Sequence, residues 1–517
     1  MRILYYNWAD HRDPEKRGGG VSVYQRNVIK ALSRIDGVET AFLSSGLAHD
    51  LRRREPHVVQ LSHDTSPRYA LVNSGLIAPS HADFAGEAQL DHPATESAFA
   101  DFVERTGPWD VIHFNNLEGI PANVLSLKRR WPQTRFVLSL HNYYPFCPQV
   151  NLWFAERETC TDFHAGANCT RCLVSRPEPR SVRTAYALAW TLSQAGFGPG
   201  TVFFDRVFRP SVGLAWRSLR RILSLRHRRL AAVPMATAGT ASAGNSPPLP
   251  EMVPVEPAAP VAAPAPATTN LPAEAFARRR ARMVALINAH CDDVLCVSDR
   301  VRQIALHHGI HASRLHTLYI GTAEAAEWHY SRPRERFLRP DGTTHLAYLG
   351  YMRRDKGFHF LMRALRALPE TQAKRLHLTI AAKTGEAEAM AALDALRPHL
   401  ASVRHVNGYT HTDLRDLLAD VDLGVVPVVW EDNLPQVAIE MHARHIPLIT
   451  SDRGGAQELG RCNDLVFRAA SIDEFHRVLG RVLDGSVTPA QYWAHAIAPV
   501  SLSEHLDALL ATYRKAP

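Results

Sequence analysis

The chain has 517 residues, 46% of them apolar and 21% charged, with a formal net charge of +8 at pH 7. That length supports two sizeable domains, each with its own core, and the composition is that of a globular protein rather than a fibrous or disordered one. No run of roughly 18 uncharged apolar residues offers a spanning helix. The opening MRILYYNWADH lacks the basic stretch and apolar region of a secretory leader, so the expected compartment is the cytoplasm.

Apolar runs at 2–7, 110–116 and 135–140 read as strands. Between the first of these and the helical VSVYQRNVIKAL stand Gly18, Gly19 and Gly20, a strand-to-helix turn that lets backbone approach a phosphate. The turn is not a G-x-G-x-x-G fingerprint, which argues against a dinucleotide enzyme. His141 directly follows the strand at 135–140, at the edge where open α/β sheets bind ligands.

Six residues further on begins C-x12-C-x8-C-x2-C, formed by Cys147, Cys160, Cys169 and Cys172. The closing C-x-x-C has metal-ligand spacing, and four thiolates suit a tetrahedral structural zinc, with His164 as an alternative ligand; reduced, unligated thiols are the other reading. Seven cysteines in all, an odd number without a leader, argue against a disulfide framework.

Residues 181–232 hold nine arginines and no lysine against the single acid Asp205, interleaved with Trp190, Phe197, Phe203, Phe204, Phe208 and Trp216. This basic helical insertion is a candidate for an anionic membrane surface, with a solvated insertion packed on its own domain as the alternative. No nucleic-acid-binding module accompanies the charge, so no nucleic acid is expected as a partner. The Ala/Pro-rich tract 233–272 that follows cannot build a packed core and reads as a disordered linker. Strand-like runs resume at 293–297 and 315–320, so the insertion and linker interrupt one doubly wound domain over 1–338.

A second α/β domain is expected over 339–498, with strands at 345–349, 376–381, 403–406, 422–426 and 447–450 and helices at 357–368 and 411–419. Residues 499–517 end in an amphipathic helix. The loop LGYMRRDKGF after this domain's first strand carries Arg353, Arg354 and Lys356, cations suited to the charge that gathers on a departing diphosphate. Asp420 and Asp422 imitate a D-x-D metal motif but read as a helix-to-strand junction, and no catalytic divalent ion is expected there.

The densest signal is VVPVVWEDNLPQVAIEMHARHIPLITSDRGGAQE over 425–458. Asp432 and Glu440 lie eight positions apart across the start of a helix, where Pro435 suits the first turn and the free backbone N–H groups favour phosphate. Glu440, about a turn and a half in, can face the same pocket. The turn Gly454-Gly455 follows the next strand, with Glu458 beyond it in a structural role.

This stretch resembles the signature of retaining glycosyltransferases of family 4, whose two acids stand in an E-x7-E pattern within W-x-E-x-x-P-x-V-x-x-E. Trp430, Asn433, Pro435, Val437 and Glu440 match; Asp432 replaces the usual Glu, and Glu431 is one position out of register. The resemblance implies a GT-B fold of two Rossmann-like domains facing a cleft, the first on the acceptor side, the second binding nucleotide sugar, and the final helix crossing back to the first. It implies a hexosyltransferase acting with retention and without a catalytic metal or other cofactor, on a nucleotide diphosphate sugar.

By the same resemblance, Gly19 and Gly20 sit beside the donor and His141 touches the transferred sugar. Lys356 holds the diphosphate, and Arg353 or Arg354 substitutes for a family arginine whose place is taken by Tyr351. Asp432 contacts sugar hydroxyls, Glu440 binds the ribose, and Asn433 and Leu434 border the donor. Asn142 stands where the family usually has Asp. A similar cysteine cluster in part of the family implies a shared structural role.

The expected acceptor is a saccharide or lipid-linked saccharide of cell-envelope polysaccharide or glycolipid synthesis, handled by a cytoplasmic enzyme on the inner membrane face. Two other classes stay open: a glycosyltransferase-like binding subunit without catalysis, and a sugar-nucleotide epimerase of related fold. A glycosidase with paired carboxylates fits less well, because both acids share one short segment beside phosphate-binding features.

Overall fold

In the computed structural model the described residues are 1–84, 86–173, 178–211 and 271–515. The expected linker 233–272, apart from its last two residues, and the 212–232 part of the basic insertion lie outside them. The chain divides into two compact units, Met1–Leu188 with Pro266–Pro517, and Ala189–Ala265. In the second, the described residues include a single π-helical turn, Phe204–Phe208.

The larger unit contains two sheets. The first is built from β1 (Arg2–Asn7), β2 (Glu39–Ser45), β3 (His57–Ser62), β4 (Arg68–Val72), β5 (Val111–Phe114) and β6 (Arg135–Leu140). A two-stranded ribbon, β7 (Trp153–Phe154) with β8 (Glu158–Thr159), stands apart, and β9 (Asp293–Cys296) and β10 (Leu315–Thr317) complete the sheet. Its order is β10-β9-β6-β5-β1-β2-β4-β3, parallel except for the antiparallel β3–β4 edge.

The second sheet comprises β11 (Thr344–Gly350), β12 (Leu376–Ala382), β13 (Ser402–Asn407), β14 (Leu423–Val426), β15 (Leu448–Ser451) and β16 (Val466–Phe467). It is wholly parallel in the order β13-β12-β11-β14-β15-β16. Parallel strands covered on both faces read as near-continuous apolar runs, and every residue of β6 and β14 is buried, Arg135 of β6 being paired with Asp293. Two such sheets, each with its own core, make the α/β architecture of the GT-B fold.

Strand alternation of faces explains how the helices attach. On the second sheet, helix Phe358–Arg366 buries Phe358, Phe360, Leu361, Met362, Ala364 and Leu365, and helix Ile472–Leu483 buries Phe475, Val478, Leu479, Val482 and Leu483. Each stripe recurs at three- and four-residue intervals, and burying one such side chain contributes about 1.5–3 kcal/mol.

The last helix, Leu502–Tyr513, starts at a capping box between Ser501 and Glu504. It buries Leu506, Leu509, Leu510 and Tyr513 against Ile3, Tyr5, Tyr24 and Val28 of the first sheet's layer. The chain therefore ends on the domain in which it began.

Candidate functional site

A cavity of about 500 Å³ opens where the carboxyl ends of the second sheet's strands face the first, a volume within the range of small-molecule sites. Gly20, Val21, Tyr24 and His141 line one side; the loop after β11, the ends of β12 and β13, and residues 430–440 line the other. The Gln436 side-chain amide donates to the Gly20 carbonyl at 3.4 Å, across the two walls.

Glycines shape the second wall. A Cβ on Gly454, at φ +70°, would meet the Asp432 carbonyl oxygen at 1.9 Å, and one on Gly455 would meet that of Asn433 at 2.4 Å. Only glycine lets the 452–456 turn press against the backbone of 432–433, which fixes where those side chains emerge.

Asp432 emerges against Lys356: Nζ donates to Oδ2 at 2.6 Å, with the side chains 26% and 10% exposed respectively. The Lys356 ammonium also lies 5.0 Å from the Trp430 ring centre, a geometry that favours the cation. Asn433 is buried, and neither its Oδ1 nor its Nδ2 has a hydrogen-bond partner. A buried carboxamide left unsatisfied costs about 1–3 kcal/mol per polar atom, and among the described residues this cavity-lining side chain has no partner.

Glu440 is buried and accepts from the Tyr409 hydroxyl at 3.1 Å, with His411 Nδ1 3.7 Å away. Burial raises its carboxyl pKa above the ordinary value, opposed by His411 and the Tyr409 hydrogen bond.

On the first wall, His141 Nε2 donates to Asn115 Oδ1 at 3.2 Å, which leaves Nδ1 as the ring's acceptor. Burial, followed by His505, lowers its pKa to about 3. Burial thus favours the neutral imidazole, whose visible interaction is its hydrogen bond to Asn115. Asn142, next in the chain, donates to the buried carboxylate of Glu118 at 2.9 Å and accepts from the Tyr144 N–H. Burial raises the Glu118 carboxyl pKa above its ordinary value, opposed by the Ser80, Asn142 and Asn116 hydrogen bonds.

The structure brings His141, Gly20, Lys356, Asp432, Asn433, Leu434 and Glu440 to one cavity. Gly19 is exposed beside cavity-lining Gly20. Arg353 and Arg354 are exposed and do not line the cavity. Arg353 turns back to Asp355, Nε to Oδ1 at 3.0 Å; a carboxylate two residues away captures it. Tyr351 lines the cavity in their stead, together with Lys383, Tyr409 and His411. Sequence reasoning missed those last three, which arrive from the ends of β12 and β13.

Glu431 is not a second ligand-facing acid. It receives Arg300 Nε and Nη2 at 2.9 and 2.6 Å with only 3% of its side chain exposed. Beside it, Glu458 accepts from the Asp299 and Arg300 N–H groups, the first turn of helix Asp299–His307. Ser298 Oγ donates to the Asn433 carbonyl at 2.7 Å. These bonds tie the two sheets' layers together immediately behind the cavity. Asp422, of the apparent D-x-D pair, binds Arg334 at 2.6 Å and Arg339 at 2.8 Å and so serves the fold.

Cys147, Cys160, Cys169 and Cys172 line a small separate cavity with Arg280. All four are free thiols, and Cys172 donates to Gln149 Oε1 at 2.9 Å. Among the described residues no three His, Cys, Asp or Glu side chains form a group that could hold a metal ion, and no helix is long and apolar enough to cross a membrane.

Residues 343–485, the second sheet's domain, match the family of glycosyl transferases group 1. Over nearly the whole chain the fold is similar to that of several solved structures. Sucrose-phosphate synthase of Thermosynechococcus elongatus is similar at TM-score 0.51 and 14% identity, covering 99% of this chain and 98% of that one. The Anabaena protein HepE, solved in complex with UDP, matches at TM-score 0.52 and 12% identity over 99% of both chains. A UDP-forming α,α-trehalose-phosphate synthase of Burkholderia xenovorans matches at TM-score 0.50 and 14% identity, covering 100% of this chain and 99% of that one. At such identities the likeness is one of fold. No curated protein matches the chain in sequence.

Proposed function

We propose that this chain is a retaining glycosyltransferase that moves a sugar from a nucleotide diphosphate sugar to an acceptor hydroxyl. The observation that carries the reading is the unsatisfied Asn433 carboxamide, set between the Lys356–Asp432 pair and Glu440 in a cavity walled opposite by His141. Glu440 receives ribose hydroxyls and Asn433 a sugar hydroxyl. Lys356 swings from Asp432 toward the diphosphate, and Asp432 and His141 Nδ1 accept from hydroxyls of the transferred sugar. Each acts where charge or hydroxyl orientation matters in the transition state.

No protein nucleophile is required. The acceptor oxygen attacks the anomeric carbon on the face from which the diphosphate departs, the anomeric C–O bond breaks, and the leaving phosphate oxygen takes the acceptor's proton. Lys356 supplies the positive charge this leaving group needs. UDP in HepE and the UDP-forming synthase make UDP-sugars the first donors to screen. Glu440→Ala should cut release of nucleoside diphosphate from the best donor at least 100-fold with the fold intact; turnover like the wild type's refutes the donor assignment.

A lipid-linked acceptor in cell-envelope synthesis is the second part of this reading, supported by the arginines of 181–232. Cosedimentation with anionic vesicles should fall when Arg206 and Arg209 are changed to Gln; a wild-type protein that does not cosediment at all argues for a soluble acceptor, and unchanged binding in the variant removes these arginines as its basis.

A further inference from the structure

Helix Leu502–Tyr513 sends one polar side chain toward the candidate site. His505 is 2% exposed; its Nδ1 donates to the Tyr319 carbonyl at 2.8 Å. That bond assigns the proton to Nδ1 and leaves Nε2 as an acceptor, so the Tyr24 hydroxyl, 2.8 Å away, is the donor. Tyr24 is itself buried, and its ring lies 5.1 Å from that of His141 and 5.3 Å from that of His505. Tyr24 and His141 both line the cavity; His505 does not.

The anchoring is directional. Tyr24 stands on helix Gly19–Leu32, whose first turn forms part of the same wall. Among the described residues His141 has one hydrogen bond, the 3.2 Å contact to Asn115, and its ring packs 5.1 Å from that of Tyr24, which constrains its orientation. The far end of helix Leu502–Tyr513, which carries His505, is secured independently: the Tyr513 hydroxyl meets that of Tyr5 at 3.0 Å and also contacts His113, whose Nε2 meets Ser139 Oγ at 2.7 Å. His505 is thus held from behind and presents a fixed acceptor to Tyr24.

We propose that His505 is a positioning residue for His141, acting through the Tyr24 hydroxyl, so that the C-terminal helix sets the orientation of the sugar-contacting imidazole. The inference builds on the glycosyltransferase reading only for its kinetic consequence; the orientation of His141 can be measured without turnover. A fixed imidazole loses less freedom as the reacting sugar is held, an advantage in kcat rather than in nucleotide binding.

The test uses the full-length protein with four variants: His505→Gln, His505→Leu, Tyr24→Phe and, for assignment, His141→Gln. A Gln side chain can both donate to Tyr319 and accept from Tyr24, whereas Leu can do neither; Tyr24→Phe keeps the ring and deletes the hydroxyl. In protein labelled with 15N at histidine, the His141 signals should broaden or shift in His505→Leu and Tyr24→Phe and return to wild-type positions in His505→Gln.

With the best donor from the screen, kcat should fall about ten-fold in His505→Leu and Tyr24→Phe. KM for the donor and UDP affinity should stay within two-fold, and His505→Gln should recover most of the rate. Unchanged His141 signals in His505→Leu and Tyr24→Phe overturn the proposal, as does a His505→Gln protein no better than His505→Leu. Wild-type protein that turns over no nucleotide sugar refutes the functional reading instead and leaves the NMR comparison decisive for this one.

Discussion

Asp432→Asn separates the two jobs that meet at the Lys356–Asp432 pair. Nζ and Oδ2 are 2.6 Å apart, with the lysine 26% and the aspartate 10% exposed. At an effective dielectric near 20 their attraction is about 6 kcal/mol, and desolvation of both charges offsets most of it. Asn keeps the shape and an oxygen that can accept from Nζ, so the stability lost should be about 1–3 kcal/mol.

The functional effects should point in opposite directions. Freed from its counter-charge, Lys356 meets a diphosphate without first leaving Asp432, so affinity for free UDP should hold or tighten in Asp432→Asn. Sugar transfer should fall, because the acceptor for a sugar hydroxyl is weakened from a charged to a neutral one, about 1–2 kcal/mol or roughly ten-fold or more per bond. Calorimetric titration with UDP and a nucleotide-release assay read the two effects separately. Lys356→Met, alone and combined with Asp432→Asn, closes the cycle: with the lysine gone, Asp432→Asn should no longer improve UDP binding. A ten-fold loss of UDP affinity in Asp432→Asn, or full turnover, refutes the reasoning.

Two further outcomes follow from the geometry. Arg300→Met leaves the Glu431 carboxylate buried with only Arg453 at 3.4 Å and the Gly454 N–H at 3.1 Å; unfolding in urea should show a loss of roughly 3 kcal/mol, and a change under 0.5 kcal/mol shows that the pair is not a fastening of the two layers. Glu440 has a folded pKa raised by burial, so the native state binds more protons than the unfolded chain between the ordinary and the raised value, and this carboxyl's contribution to stability falls as pH rises through that window. Glu440→Gln should therefore gain stability on the wild type from pH 4 to pH 8 in parallel thermal melts, while wild-type affinity for UDP-sugar should weaken as pH falls through the raised pKa; parallel pH curves for the two proteins argue against the buried charge.

Most strands were legible because a parallel strand covered on both faces is mainly apolar: the runs within 135–140 and 376–381 stand out although each carries two polar residues, and they appear as Arg135–Leu140 and Leu376–Ala382. The misses are of two kinds. β3, HVVQLS, is an antiparallel edge with partly exposed residues and β16 has only two residues, whereas β2, ETAFLSS, and β4, RYALV, are parallel and largely buried but short on local signal, with polar residues at their ends. At the site, the 430–440 segment was legible since its spacing is local to one loop and helix. Tyr409, His411 and Lys383 were not, because they meet Glu440 and the cavity only through the order of β12 and β13 in the sheet, which no local pattern encodes. Arg353 misled for a different reason: its cation was counted for the ligand although Asp355, two residues on, was in view as a nearer partner.

The three acids within ten residues of one another show why a matching spacing does not by itself assign roles. Glu431 is one position from the place where a longer acid is expected, and it has the longer side chain, but Arg300 holds it bidentately and Gly454 covers it from the other side. Its charge is therefore spent between the layers, and moving it to the cavity would leave Arg300 without its partner. Asp432 points the other way along the chain, with a cation in the cavity itself. Glu440 meets neither of those cations; a phenol hydroxyl and a half-exposed imidazole face it. On the proposed reading, hydroxyls and a diphosphate on one ligand would meet Glu440, Asn433 and Lys356 together, whereas a ligand without the diphosphate offers Lys356 nothing in exchange for Asp432. That difference makes the paired carboxylates a poor fit to glycoside hydrolysis, which needs one carboxyl as acid and a second free to act as nucleophile or base across a single bond, whereas Asp432 is already held by Lys356.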